Sequence, residues 1–379
     1  MKIMYRLSKQ QLLADLYTAF EDARRHKRNK PYVLTFAKHL DARLQELCDT
    51  LWARTYEPKR STCFIITDPK KREVFAADFR DRVVHHLYYN YTHELFERTF
   101  IEDTYSCIPG RGTHYGIDRL QRHIRQVSRN YTRQAYVLKM DIRGYFMHIN
   151  RRRLCDECLK TIRKMASHRV LKHLPLKWED KIDIPFIEYL TEQITLLDPL
   201  TNGRMIGDKH EWDGLAHDKS LFHSPKGFGL PIGNLTSQLY SNVYLNVLDQ
   251  YMKRKLRCRH YGRYVDDFYV VSDDKAWLHS IIVPVRQFLT DELDLTLHSG
   301  KSQVLPIQYG VPFLGMYVKP WRKTASHSSL RRMRRKRRVL AYQLTGGQIP
   351  VGRIASAVAS FRGMLSHGHN HAALSEFEI

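Results

Sequence analysis

Tyr264-Val-Asp-Asp-Phe268 is the feature that most limits what this chain can become. Two adjacent aspartates sit inside a run, Tyr261–Ser272, whose other residues mostly favour strands. Their charges repel, and a hairpin turn ordinarily takes Asn-Gly or Asp-Gly, because glycine accepts positive φ without strain. The run reads as a hairpin with Asp266 and Asp267 at its turn, an arrangement that persists where a cation relieves the repulsion. A second strand-like stretch, Tyr136–Ile142, carries another aspartate 125 positions upstream of Asp266. Alternation puts Tyr136, Leu138 and Met140 on one face and Asp141 on the other, at the strand's exposed tip. Phosphoryl transfer explains the set: two metal ions roughly 3.5–4 Å apart need bridging carboxylates from separate backbone segments. Asp141 and Asp266 are the candidate bridges.

The charge balance points to the partner. Sixty-two basic and 39 acidic residues leave a net charge of +23, an excess that suits a polyanion, since each neutralised phosphate releases a counterion. At 43% hydrophobic and 27% charged, the 379 residues have a globular balance and suffice for two or three lobes. No stretch of about 18 apolar residues exists and Met1–Gln10 has no apolar core, so a cytoplasmic protein without a membrane span is expected. Six cysteines are too few for a disulfide scaffold. Cys155 and Cys158, with His168 and His173 beyond, raise zinc. The nine-residue gap before His168 does not fit the usual finger spacing and the segment reads as helix, so these cysteines are read as structural.

The first sixty residues read as helices on the spacing of Leu12, Leu16 and Phe20, then of Leu40, Leu44, Leu47 and Leu51. Segment 61–134 mixes short strands with helix and holds the dense loop Pro109-Gly-Arg-Gly-Thr113. A helical region is expected over about 151–225, then a long helix from Asn234 to Lys255. Its stripe of Leu235, Leu239, Val243, Val247 and Tyr251 must face a core. The tail after Trp321 reads as helical and very basic. Gly227, Gly229 and Gly233 lack the dinucleotide-loop spacing and have no crossover unit around them; they suit close backbone approach to a ligand.

Lys139-Met-Asp-Ile-Arg-Gly-Tyr-Phe146 and Tyr264-Val-Asp-Asp267 resemble motifs A and C of reverse transcriptases. Lys70-Lys-Arg72, Asp78-Phe-Arg-Asp-Arg82 and Ile108-Pro-Gly-Arg-Gly-Thr113 are similar to the fingers motifs and the loop after them. Gly229-Leu-Pro-Ile-Gly-Asn-Leu-Thr-Ser-Gln238 resembles motif B, Lys301 stands where motif D has its lysine, and Pro312-Phe-Leu-Gly315 where the primer grip lies. The likeness implies an α+β right-hand polymerase fold with fingers, an antiparallel-sheet palm and a helical thumb. Residues 1–60 would be an N-terminal helical extension and 61–134 the fingers. Residues 135–150 would carry motif A of the palm, 151–225 a helical fingers/palm region, 226–320 the palm motifs B to E, and 321–379 the basic thumb. It also implies roles. Asp141, Asp266 and Asp267, with the Ile142 carbonyl, would hold two Mg²⁺ ions, with Mn²⁺ a possible substitute. Arg72 and Lys70 would hold the triphosphate of a deoxynucleotide. Phe146 would exclude a ribose hydroxyl, and Lys301 would be the general acid for pyrophosphate. Ile232, Gly233 and Gln238 would border the incoming nucleotide. Arg111, Phe313 and Gly315 would contact template RNA or the RNA/DNA hybrid. Independently of the likeness, the run Arg331–Arg338 is too charged all round to pack entirely in a core. One side, with Arg334, Arg335 and Arg338, is expected to track the template–primer backbone, the alternative being a solvated helix face.

Motif B departs from the common Q-G-x-x-x-S-P pattern. Ile232-Gly233-Asn-Leu-Thr-Ser237-Gln238 resembles the variant found in reverse transcriptases of diversity-generating retroelements. Those enzymes copy a template-repeat RNA into cDNA while misreading adenines, and work with a small basic helical-bundle accessory protein of the Avd type. The short basic thumb, with no maturase, endonuclease or RNase H extension, agrees with that likeness. A defence-type or unclassified bacterial reverse transcriptase is the alternative, and a catalytically inactive polymerase-like RNA-binding protein a further one, against which the intact aspartates argue.

Overall fold

The apolar spacing near the start of the chain produces helices Lys9–Arg24 and Leu40–Trp52, with a short helix, Pro31–Ala37, between them. The computed structural model describes residues 7–68, 70–165, 183–201 and 203–377. Ser8 caps the first helix, its hydroxyl accepting from the Gln11 N–H. Pro31 occupies the first turn of the second, where a missing N–H is harmless. Leu12, Leu16, Leu44 and Leu51 are fully buried, and Phe20, Phe36 and Phe79 meet with ring centroids 5.2–6.1 Å apart.

Among the described residues the strands in chain order are β1 (Ser61–Ile66), β2 (Arg72–Ala76), β3 (Tyr136–Arg143), β4 (Gly203–Met205), β5 (Tyr261–Tyr264) and β6 (Asp267–Ser272). They continue with β7 (Thr296–Leu297), β8 (Gln303–Pro306), β9 (Val311–Phe313), β10 (Met316–Lys319) and β11 (Arg322–Ala325). The chain divides into two units. One comprises Met1–Ile101, Ile142–Tyr251 and Gln287–Thr296; the other comprises Glu102–Asp141, Met252–Arg286 and Leu297–Ile379.

In the first unit β2, β1 and β4 form a sheet in that order, β1 antiparallel to β2 and parallel to β4. Helix Leu235–Gln250 packs against helices Phe79–Glu97 and Arg151–Met165. Eleven of its sixteen residues are buried, so it is covered on several sides and not along one stripe. The helix closes in a π-turn, Tyr251–Lys255. The expected helical region over 151–225 is realised in Arg151–Met165 and Ile184–Thr195. From Gly203 onward it gives way to β4 and short 3₁₀ turns, because Gly207 and Gly214 take positive φ and interrupt any helix.

In the second unit the sheet order is β5-β6-β3-β7, with β8 also paired to β3. Phe268, Tyr269, Val270 and Val271 are all buried, which makes β6 a central strand covered on both faces. Ile117, Leu120 and Ile124 of helix Thr113–Val127 join Val137 and Tyr269 in its core. A separate sheet, β11-β10-β9, follows. The tail is therefore not helical from Trp321: β11 first pairs back on β10, Ala325 opposite Met316, and helix His327–Thr345 begins after it. No helix among the described residues is long and apolar enough to cross a membrane.

Candidate active site

The antiparallel pairing of β3 with β6 sets Asp141 opposite Asp267 and Lys139 opposite Tyr269. Across the hairpin Tyr264 pairs with Asp267, so the two-residue turn is Val265-Asp266. That is one residue earlier than the Asp266-Asp267 turn the sequence suggests, and Asp267 opens β6. Likewise β3 runs past Asp141 to Arg143. Positive φ falls on Val265, at +55°. A β-branched residue in this region is strained, by about 1–3 kcal/mol. The Asp141 carbonyl accepts from the His298 N–H at 2.8 Å, which ties the strand end down.

Three carboxylates in this corner meet two lysines. Burial pushes the Asp266 carboxyl up to about 6, the charge of Asp141 adds to the rise and that of Asp267 follows; its own N–H and Lys301 act the other way. Asp267 is raised chiefly by burial, with Lys139 opposing and Asp141 reinforcing. Lys301 Nζ lies 2.6 Å from Asp141 Oδ2, and Lys139 Nζ lies 3.4 Å from Asp267. The lysine expected from motif D is thus at the carboxylates. Lys139 was not expected, although alternation puts it on the same face as Asp141, two residues on.

Among the described residues no three His, Cys, Asp or Glu side chains gather into a ready-made metal cage. The aspartates form an open, all-oxygen set short of positive charge, the donor chemistry that suits Mg²⁺ or Mn²⁺. The zinc pattern gains nothing. Cys155 and Cys158 are buried in helix Arg151–Met165, where burial raises both thiols, and His168 and His173 lie outside the described residues.

Residues 67–318 match the family model described as Reverse transcriptase (RNA-dependent DNA polymerase). The chain belongs to the reverse transcriptase family. Protein YkfC of Escherichia coli (strain K12) is 24% identical to it over 286 residues, covering 73% of this chain and 71% of that protein. Apo telomerase from Candida tropicalis, truncated from its C-terminal domain, is similar with a TM-score of 0.49 at 10% identity, over 70% of this chain and 55% of that one. Telomerase from Candida albicans, in complex with a TWJ fragment of telomeric RNA, gives 0.47 at 8% identity, over 73% and 47%. This reverse transcriptase spans about half the length of those telomerase chains. Membership brings the α+β right-hand polymerase fold, RNA-directed DNA polymerase activity and the use of divalent metal ions.

In the first unit most of the expected nucleotide residues lie around β2. Lys70 and Arg72 are exposed at its start. The Phe75 N–H donates to the Ile232 carbonyl at 2.8 Å, and the Ala77 N–H donates to Asn234 Oδ1 at 3.1 Å. Between these bonds Gly233 stands at φ +127°, and a Cβ there would lie 2.9 Å from Val74 and 3.1 Å from the Phe75 carbonyl. Motif B is therefore laced to the strand edge, which requires glycine. Ile232 and Phe146 both pack on the cluster of Cys63, Phe75, Met147 and Leu221. Gln238 is exposed on an otherwise largely buried helix. Sequence gave no sign of Glu73, whose buried carboxylate accepts from Trp212 Nε1, Ser220 Oγ and the Leu221 N–H at 2.7–2.8 Å.

The expected nucleic-acid residues divide. Phe313 is buried against Tyr269, ring centroids 5.2 Å apart, so its side chain is a core residue. Gly315, at φ +84°, follows it in the β9–β10 turn. Arg111 reaches back to the Thr104 carbonyl at 2.9 Å. Arg335 and Arg338 are exposed, whereas Arg334 is engaged by Glu376 through two hydrogen bonds of 2.8 and 2.6 Å.

Proposed function

We propose that this reverse transcriptase serves a diversity-generating retroelement, copying a template-repeat RNA into cDNA with errors concentrated opposite adenine. The observation that carries this reading is Ile232. It stands where the common motif has glutamine, and it packs beside Phe146 on one apolar cluster. A glutamine amide can brace an incoming nucleotide by hydrogen bonds; isoleucine has no donor or acceptor.

Asp141, Asp266 and Asp267, with the Ile142 carbonyl, would hold two Mg²⁺ ions. Bound there, divalent ions supply the charge that activates a primer hydroxyl and neutralises the triphosphate. Arg72 and Lys70 bind triphosphate oxygens, Phe146 bars a 2′ hydroxyl, and Lys301 holds a proton for the departing pyrophosphate. Residues 61–134 act as fingers, 135–150 and 226–320 as palm, and 321–379 as a basic thumb on the template–primer hybrid. The excess of +23 suits RNA; a basic helical-bundle accessory protein completes the assembly.

Copying one adenine-rich RNA template with Mg²⁺, using the parent and Ile232→Gln, tests the reading. Sequenced cDNA from the parent carries errors opposite adenine. The variant lowers them by up to roughly tenfold, the effect of one hydrogen bond. Accurate copying by the parent, or the same error spectrum in an active variant, would count against it.

A further inference from the structure

The turn that carries Asp266 is gripped by two side chains with no part in the metal-bridging reading. Val265, directly before Asp266, stands at φ +55°, and both polar groups of its backbone are engaged. Its N–H donates to Ser106 Oγ at 3.3 Å, and its carbonyl accepts from the Arg263 guanidinium at 3.0 Å. Ser106 and Arg263 are both fully buried. A buried guanidinium is costly to desolvate, so its placement beside an acidic turn calls for a role.

The segment that brings Ser106 to the turn is itself laced to β5. The Arg263 N–H donates to the Asp103 carbonyl at 2.9 Å, and the Arg263 carbonyl accepts from the Tyr105 N–H at 3.0 Å. Tyr105 is fixed in turn, its hydroxyl bonded to Asp103 at 2.9 Å and to the Tyr269 hydroxyl at 2.8 Å. Gly262 leaves room for this crossing; a Cβ there would collide with the Tyr105 hydroxyl. Ser106 is thus delivered by a rigid neighbour of the hairpin.

We propose that Ser106 and Arg263 are positioning residues for nucleotidyl transfer. Holding Val265 from both sides, they maintain the left-handed conformation that keeps the Asp266 carboxylate beside Asp141. The proposal rests on the reading of Asp266 as a metal ligand.

The test uses the full chain with Ser106→Ala, Val265→Gly and the pair combined. Mn²⁺ binding to the protein alone is followed by water-proton relaxation, and extension is measured separately. Ser106→Ala weakens Mn²⁺ binding and lowers kcat, each by roughly three- to tenfold. KM for the deoxynucleotide stays within about twofold, because a ligand to the reacting centre is misplaced while the nucleotide contacts remain. Adding Val265→Gly restores most of both losses, since glycine holds positive φ unaided. Arg263→Met removes the other grip and shows the same pattern; if it does not fold, the serine variants still decide. Parental Mn²⁺ affinity and kcat in Ser106→Ala, or a loss that Val265→Gly leaves uncorrected, overturns the proposal. Asp266→Asn is measured alongside. If it binds Mn²⁺ and extends like the parent, the metal reading itself falls; if it is inactive while Ser106→Ala is normal, the positioning role alone falls.

Discussion

Asp81 in the first unit and Asp266 in the second carry carboxyls pushed up to about 6, and burial is the leading cause at both. Their neighbours differ. Asp81 accepts from the Tyr56 hydroxyl at 2.8 Å, from the Lys59 N–H at 2.7 Å and from Arg80 at 3.3 Å. Asp266 has two other carboxylates beside it, and they add to its rise. Donors that stabilise its charge predominate around one aspartate, with only Asp78 acting against them; beside the other, two like charges add to the rise while Lys301 and its own N–H oppose it. Asp103 marks the far end of the series. Burial pushes it up, but Arg119, His123 and the Tyr105 hydroxyl hold it below the usual carboxylate range. A displaced pKa alone therefore does not separate a structural carboxylate from a functional one. The sign of the neighbouring charge does.

The sharpest break between the two comes from the same substitution at each. Asp266→Asn lowers primer extension by at least roughly 10³-fold, since a charge needed at the transition state is removed. Asp81→Asn leaves extension per folded molecule unchanged. Stability without divalent ions moves oppositely. At residue 81 either orientation of the amide sets one donor against another, and the fold loses about 1–3 kcal/mol. At residue 266 a neutral amide relieves repulsion, and the fold gains on the order of 1 kcal/mol. Urea titrations in chelator at pH 7.5, beside extension assays, read both signs. Equal destabilisation by the two variants would erase the distinction.

The strand pair and its aspartates are legible in sequence because alternation and adjacent like charges are local signals. Turn register is less so. The pairing of Tyr264 with Asp267 fixes it, and no glycine marks the loop. Lys139 shares a face with Asp141, yet its partner Asp267 is 128 positions away. Glu73 reads as an ordinary polar strand position, and its donors lie 139–148 positions on. The grip of Ser106 on Val265 spans 159 positions. Phe313 illustrates the converse case: its motif position suggests a ligand contact, while its ring is packed in the core against Tyr269. What sequence hides here is long-range hydrogen bonding to backbone and buried charge, for which no periodicity exists.

Acidity sharpens the comparison further. Both carboxyls lie above the usual Asp value of about 3.9, so each stabilises the fold fully below about pH 4 and loses that contribution as pH rises through about 6. Chelated protein should accordingly lose stability across that window. Mg²⁺ or Mn²⁺ cancels the share belonging to Asp266, because a bound cation favours its ionised form. It does nothing for Asp81. Urea midpoints at pH 4.5 and 7 for Asp81→Asn should respond to divalent ions, and those for Asp266→Asn should not. A divalent effect that survives in Asp266→Asn with undiminished size would assign it to another site.

The smallest effect extends the same logic to arginine. Arg334 already has an anionic partner, Glu376, while Arg335 and Arg338 are exposed on the same helix, His327–Thr345. A cation engaged by a carboxylate must give up that partner to meet a phosphate, so its net gain from RNA is reduced. An exposed one gives up only water and releases a counterion. Arg335→Gln with Arg338→Gln should reduce the salt slope of template–primer binding by about one unit per lost phosphate contact. Arg334→Gln should change the slope less and instead loosen the C-terminal segment that Glu376 anchors. Filter binding of one RNA/DNA hybrid across a series of salt concentrations measures the slopes. If Arg334→Gln gives the largest change, the ion pair opens on binding, and partnered charge is then no guide to which arginines meet nucleic acid.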